Sequence, residues 1–266
     1  MIDGVKKIIA VASGKGGVGK STVTANLALA MAAQGKRVGV LDADIYGPSQ
    51  AQMLGFDAGT RPKAIDEKTM LPLEAHGIQV MSMAFLTDMD TAMVWRGPMV
   101  AGAFLQLLNQ TDWDDLDYLF IDMPPGTGDI QLSLAQKVSV AGAVIVTTPQ
   151  DIALLDARRG IEMFRKVNVP VLGVIENMST HICSHCGHVE PIFGEGGGDS
   201  IAENYSTDVI ARLPLTLSIR ENADGGNPSV VAEPESEAAR EFKAAAQHIE
   251  SSLEGHDNKG PSISFS

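Results

Sequence analysis

Short runs of consecutive apolar residues alternate with longer amphipathic stretches almost to the end of the chain. Leu119-Phe120-Ile121, Val144-Ile145-Val146 and Val171-Leu172-Gly173-Val174-Ile175 show no two-residue alternation of apolar and polar positions. A strand apolar on both faces is buried on both, as in a parallel sheet covered by helices. Strands are therefore predicted at 7–12, 37–42, 78–81, 118–122, 143–147, 171–176 and 209–213. Helices are predicted at 20–33, 98–110, 130–138, 152–167 and 200–205, with a long final helix from about 235 to 253. Strands and helices alternating through crossovers make a doubly wound α/β fold with a mostly parallel sheet flanked by helices.

Two stretches break this rhythm. Residues 60–73 have scattered charges, two prolines and no period, so an excursion or short hairpin is expected there. Residues 179–198 form a long insertion between a strand and the next helix, a length usually kept for function. No linker or repeat marks a second domain. Residues 1–255 are expected to form one domain, with 256–266 as a flexible tail.

Gly14-Lys15-Gly16-Gly17-Val18-Gly19-Lys20-Ser21 fits the phosphate-binding pattern G-x-x-x-x-G-K-[ST], and it lies between a predicted strand and a predicted helix. Glycines let backbone N–H groups turn inward around phosphate oxygens, and the helix N-terminus adds a favourable dipole. Lys20 is placed to neutralise the β- and γ-phosphates and Ser21 to offer a hydroxyl to Mg²⁺, with Thr22 next to the bound nucleotide. The second lysine, Lys15, makes the loop resemble the deviant P-loop ATPases that sandwich nucleotide between two subunits. The resemblance implies that Lys15 reaches across a dimer to the partner's phosphates.

Acidic clusters follow two strands, in Asp42-Ala43-Asp44-Ile45-Tyr46-Gly47-Pro48-Ser49 and Asp122-Met123-Pro124-Pro125-Gly126-Thr127-Gly128-Asp129. Both fall at the carboxyl edge of the sheet, where open α/β folds bind ligands. Asp122 ends an apolar strand as a Walker-B carboxylate does, placed to hold Mg²⁺ through water, and the loop with Gly126 could sense the γ-phosphate. Asp129 could equally cap the helix that it opens. The resemblance implies that Asp44 orients the attacking water beside Asp42, and that Asn177 and Pro214 flank the adenine.

Charge narrows the choice of partners. Across 266 residues, 33 acidic against 20 basic side chains leave a net charge of −13, which opposes a broad phosphate-backbone footprint. The last helix is acidic, unlike a basic membrane anchor. Neither nucleic acid nor membrane is expected as a partner. Without a secretory pattern, a reducing cytoplasmic setting is expected, where a close cysteine pair binds metal or reacts.

The two cysteines stand three apart in His181-Ile182-Cys183-Ser184-His185-Cys186-Gly187-His188. Two thiolates make half of a four-thiolate site, and a two-fold dimer would supply the other half. Alternatively, Cys183 and Cys186 with one or two of these histidines could bind Zn²⁺ within one chain. The acidic motifs above, Trp95-Arg96-Gly97-Pro98-Met99 and Glu176-Asn177-Met178-Ser179 before the cysteines resemble the Mrp/ApbC group of iron–sulfur cluster carrier ATPases, from about residue 6 to 253. This resemblance implies an ATP-hydrolysing homodimer that shares a [4Fe–4S] cluster on Cys183 and Cys186 and delivers it to apo iron–sulfur proteins, in contact with the assembly machinery. A zinc-bridged regulatory or scaffold ATPase is the alternative.

Overall fold

The computed structural model describes residues 2–45, 47–85, 97–183 and 185–257. Tyr46, Trp95, Arg96 and Ser184 of the motifs, and 258–266 of the expected tail, lie outside the described residues.

Strand β1 (Val5–Ala12) leads through the glycine-rich loop into helix α1 (Lys20–Ala33), then β2 (Val38–Asp42) and the single-turn helix α2 (Gln50–Met53). Strands β3 (Leu73–Ala75) and β4 (Ile78–Ser82) form an antiparallel hairpin. Helix α3 (Gly97–Gln110), β5 (Leu116–Asp122), α4 (Asp129–Lys137), β6 (Gly142–Thr147) and α5 (Asp151–Lys166) follow in strict alternation. The chain closes with β7 (Val171–Ile182), β8 (Val189–Glu190), α6 (Gly197–Tyr205), β9 (Val209–Leu215), α7 (Leu217–Asp224), α8 (Ser229–Ala232) and α9 (Glu237–Asp257).

The strands form one sheet in the order β3-β4-β2-β5-β1-β6-β7, with β9 along the outer edge of β7. Every pairing from β4 to β9 along this order is parallel. The apolar runs are buried as their patterning requires, with β2 and β6 buried at every position. Helices cover both faces, as a sheet apolar on both sides demands. In α5, buried Ala153, Leu154, Ala157, Gly160, Ile161 and Phe164 recur with the helical period. Phe104, Phe120, Phe164 and Phe242 anchor the core from α3, β5, α5 and α9.

The excursion at 60–73 contains an isolated antiparallel bridge, Ala64 to Met70, ahead of the β3–β4 hairpin. The larger departure from expectation is at β7, which runs to Ile182 rather than stopping at Glu176. Met178 adopts φ +56° and the register against β9 slips between Asn177 and His181, so the strand kinks and continues with polar side chains. Its end pairs with β8, His181 opposite Glu190, so a short hairpin carries the cysteines.

Candidate nucleotide site and cysteine hairpin

The phosphate-binding loop leaves the carboxyl end of β1 between β5 and β6. Gly19, just before α1, has φ +84°, and a Cβ there would stand 2.2 Å from the Asn177 side-chain nitrogen. Glycine is thus required by backbone conformation and by contact. Gly14 lies so close to α5 that a Cβ would meet the Asp156 backbone at 2.2 Å, whereas Gly16 and Gly17 face open space. The Asn177 amide donates to the Val18 carbonyl at 2.9 Å and Ser13 Oγ to the Lys15 carbonyl at 2.9 Å, bracing the loop from behind. A cleft of about 250 Å³ opens in front, lined by Lys15, Gly16, Gly17, Gly19, Lys20, Ser21, Thr22, Asp44 and Pro125 among others.

Beneath the cleft lies a buried polar network. Asp42 and Asp122 end neighbouring strands in direct register, both fully buried. The Lys20 ammonium is ion-paired with Asp122 and stands 3.9 Å from Asp44. Asp122 also accepts from Thr24 Oγ1 at 3.2 Å and Gln50 Nε2 at 2.9 Å. Sequence reasoning placed Asp42 among the nucleotide contacts, but the structure puts its carboxylate under the loop 44–50. It accepts the N–H groups of Asp44, Ser49 and Gln50 at 3.0–3.1 Å and the Ser82 hydroxyl at 3.0 Å. Asp42 thus caps α2 from eight residues away and holds Asp44 at the cleft wall.

Burial and, second, the Asp122 charge push the Asp42 carboxyl up to about 7, against the opposing pull of Lys20 and the backbone N–H groups. Unfolded, the same carboxyl releases its proton near pH ~4, so between these values the folded chain binds more protons. Its contribution therefore falls as pH rises through that window. We expect the denaturation midpoint of the nucleotide-free protein, relative to Asp42→Asn, to drop between pH 5 and pH 7.5. A difference between the two proteins that is flat with pH would refute this assignment.

The Asp122 loop is tied to the phosphate loop by Gly126 N–H to the Ser13 carbonyl at 2.9 Å, while Gln131 Nε2 donates to the Pro125 carbonyl at 2.6 Å. Lys15 is half-buried at the cleft and forms no ion pair among the described residues. Asn177 pairs with Leu213 across β7 and β9, which places it beside buried Pro214.

The cysteine hairpin projects from the same carboxyl edge of the sheet as the phosphate loop. Cys183 N–H donates to the His188 carbonyl at 2.9 Å and Gly187 N–H to the Cys183 carbonyl at 2.8 Å, closing a tight turn. The backbone N–H groups of Cys186 and His185, then the Cys186 side chain, draw the Cys183 thiol below its ordinary value. Cys183 is half-buried and Cys186 exposed. The histidines do not close a site around them: the His181 ring is hydrogen-bonded to the Leu215 carbonyl at 3.3 Å, and among the described residues no three His, Cys, Asp or Glu gather to hold a metal ion. Intrachain zinc therefore finds no support in the fold.

Sequence reasoning missed Gln50, Thr24 and Ser82. Their only signal was position, one turn past the P-loop for Thr24, a strand end for Ser82 and the start of a four-residue helix for Gln50, and polar side chains there are common enough to pass unnoticed.

A mostly parallel sheet with a phosphate loop after its central strand and an aspartate ending the neighbouring strand is the arrangement of a P-loop NTPase. Solved structures agree. The chain is similar to a nucleotide-binding protein from Archaeoglobus fulgidus in complex with ADP, at 39% identity and TM-score 0.76, over 88% of this chain and 90% of that one. It is also similar to the Pyrococcus furiosus cell division ATPase MinD, at 25% identity and TM-score 0.69, over 92% and 98%. The family model described as NUBPL iron-transfer P-loop NTPase matches residues 4–250, and the chain belongs to this family. Relatives include the iron-sulfur cluster carrier protein of Pseudomonas fragi, 68% identical over 91% of this chain and 84% of its own length. The iron-sulfur cluster transfer protein NUBPL of Mus musculus is 51% identical over 93% and 78%.

Proposed function

We propose that this chain is an ATP-dependent iron–sulfur cluster carrier, a homodimeric ATPase holding a [4Fe–4S] cluster on Cys183 and Cys186 of both protomers. The observation that carries it is a phosphate-loop cleft and a cysteine pair on one sheet edge, the pair held by a tight turn with Cys186 exposed. Two backbone N–H groups aimed at the Cys183 sulfur favour the thiolate that an iron site needs. Residues 1–255 act as one ATPase domain.

The cleft suits ATP with Mg²⁺. Ser21, at the start of α1, and Asp122, beneath it, would hold the ion, and the fully buried Gln50 beside Asp122 has an unpartnered Oε1. When bound, the metal draws charge from the phosphate oxygens. Lys20 neutralises the same oxygens, Asp44 orients the attacking water, and Lys15 stabilises the developing charge on the partner's nucleotide. Asn177 and Pro214 flank the adenine. Strain or closure at the nucleotide would move the Asp122 loop and the dimer contact, biasing cluster uptake and release.

The cargo goes to apo iron–sulfur proteins and comes from the assembly machinery, in the cytoplasm. No helix among the described residues is long and apolar enough to cross a membrane. The test is anaerobic reconstitution followed by transfer to an apo iron–sulfur enzyme with and without ATP. Retained iron and sulfide, and a transfer rate that responds to ATP, are expected. A reconstituted protein that holds no cluster would overturn the proposal.

A further inference from the structure

Gln50 opens α2 and is fully buried, an uncommon place for a primary amide unless its hydrogen bonds are needed. Its Nε2 donates to the Ser21 carbonyl at 2.9 Å and to Asp122 Oδ2 at 2.9 Å. Both neighbours are acceptors only, so the amide cannot be turned over and Nε2 must face them. Its own backbone N–H donates to Asp42 at 3.1 Å. One side chain thus joins the three segments that surround the phosphates: the phosphate loop, the strand end at Asp122 and the loop after Asp42. Its Oε1 is buried and has no partner. An unsatisfied buried acceptor costs about 1–3 kcal/mol, so a donor is expected when the site works.

We infer that Gln50 is a positioning residue for the metal–nucleotide complex: its Nε2 ties the Asp122 carboxylate to the Ser21 carbonyl and so would hold Asp122 in place for Mg²⁺, while its buried Oε1 is left to accept from a donor that enters with the ligand. Mg²⁺ keeps several of its waters in phosphate sites, and those waters are donors. The placement of ligating carboxylates by a hydrogen-bonding neighbour is general for metal sites, and its loss costs tenfold or more in metal affinity. Gln50 is not among the residues that line the cleft, so its effect would pass through Asp122.

This inference rests on the proposed Mg²⁺–ATP site, and the test separates the two. Binding of a fluorescent ATP analogue is measured with Mg²⁺ and with EDTA, for the intact protein, Gln50→Met, which keeps the volume, and Gln50→Glu, which cannot donate to Asp122 and adds a like charge. For the intact protein, Mg²⁺ should tighten binding. In Gln50→Met the gain from Mg²⁺ should shrink by about tenfold or more, with affinity in EDTA within about twofold of the intact protein. Half-saturating Mg²⁺ should rise about as much, and Gln50→Glu should show the larger loss. Circular dichroism and thermal melting confirm which variants are folded. A folded variant that keeps the full Mg²⁺ gain overturns the role of Gln50 and leaves the site standing. An intact protein with no Mg²⁺-dependent nucleotide binding overturns the site itself, and this inference with it. If neither variant folds, Gln50 is structural and the inference is likewise overturned.

Discussion

Cys183→Ala and Cys186→Ala should each abolish cluster binding while leaving the nucleotide cleft intact. In the proposed dimer each substitution would remove one ligand from each protomer, leaving two of the four thiolates that a [4Fe–4S] cluster requires. Among the described residues no three His, Cys, Asp or Glu gather to hold a metal ion, and the His181 ring is hydrogen-bonded to the Leu215 carbonyl, so no ready-made ligand set takes the place of the lost sulfur. Iron and sulfide after anaerobic reconstitution should fall to about a tenth of the intact protein or less, with transfer to an apo-enzyme lost in parallel. Fold and nucleotide binding should survive, because the turn is at the surface, with Cys186 exposed, and its hydrogen bonds at Cys183 and Gly187 are backbone bonds that an alanine keeps. Nucleotide affinity within about twofold of the intact protein is the matching control. Retention of cluster at normal stoichiometry by both variants would remove the cysteine pair from the function.

The parts of this molecule that repeat a strong local pattern were legible before any coordinates. The long apolar strands, the period of α5 and the strand–glycine loop–helix unit each declare themselves within a dozen residues, because burial on two faces or one leaves a regular trace. What escaped was set by contacts distant in sequence. Strand β7 continues to Ile182 because β8 and β9 supply partners on either edge, although Ser179, Thr180 and His181 look like loop residues. Helix α8 went unread because four residues are too few to show a period, and α7 because it buries only Ala223 and so carries no apolar face. At the site, Asp44 was expected to orient the attacking water with Asp42 beside it, but the hydrogen-bonding role of Asp42 inside the protein left no trace in the motif. Asp42 and Asp44 are two positions apart in one motif, yet the first is spent on four hydrogen bonds inside the protein and only the second lines the cleft. Gln50 became visible only once β2, β5 and the phosphate loop were brought to one point.

The same placement of Asp44 and Lys15 makes subunit complementation the sharpest test of the nucleotide proposal. Asp44 lines the cleft of its own chain, 3.9 Å from Lys20. Lys15 lines the same cleft and forms no ion pair among the described residues. If Lys15 acts across the dimer, Lys15→Ala and Asp44→Ala homodimers should each hydrolyse ATP at a small fraction of the normal rate, since a charge-stabilising finger supplied in trans is worth about 10³–10⁵ in kcat. Mixing the two should restore activity. In a mixed dimer, the Lys15→Ala protomer keeps its own Asp44 and receives an intact Lys15 from its partner, which rebuilds one complete site. The other site lacks both groups. With random exchange of equal amounts, half of the dimers are mixed and half of their sites are whole, so about one quarter of normal activity should return. A lysine acting within its own chain predicts no recovery, because neither protomer then has a complete set. Differently tagged chains that co-purify yet show only the mean of the two single variants would therefore refute the trans role of Lys15, and with it the need for a nucleotide-coupled dimer.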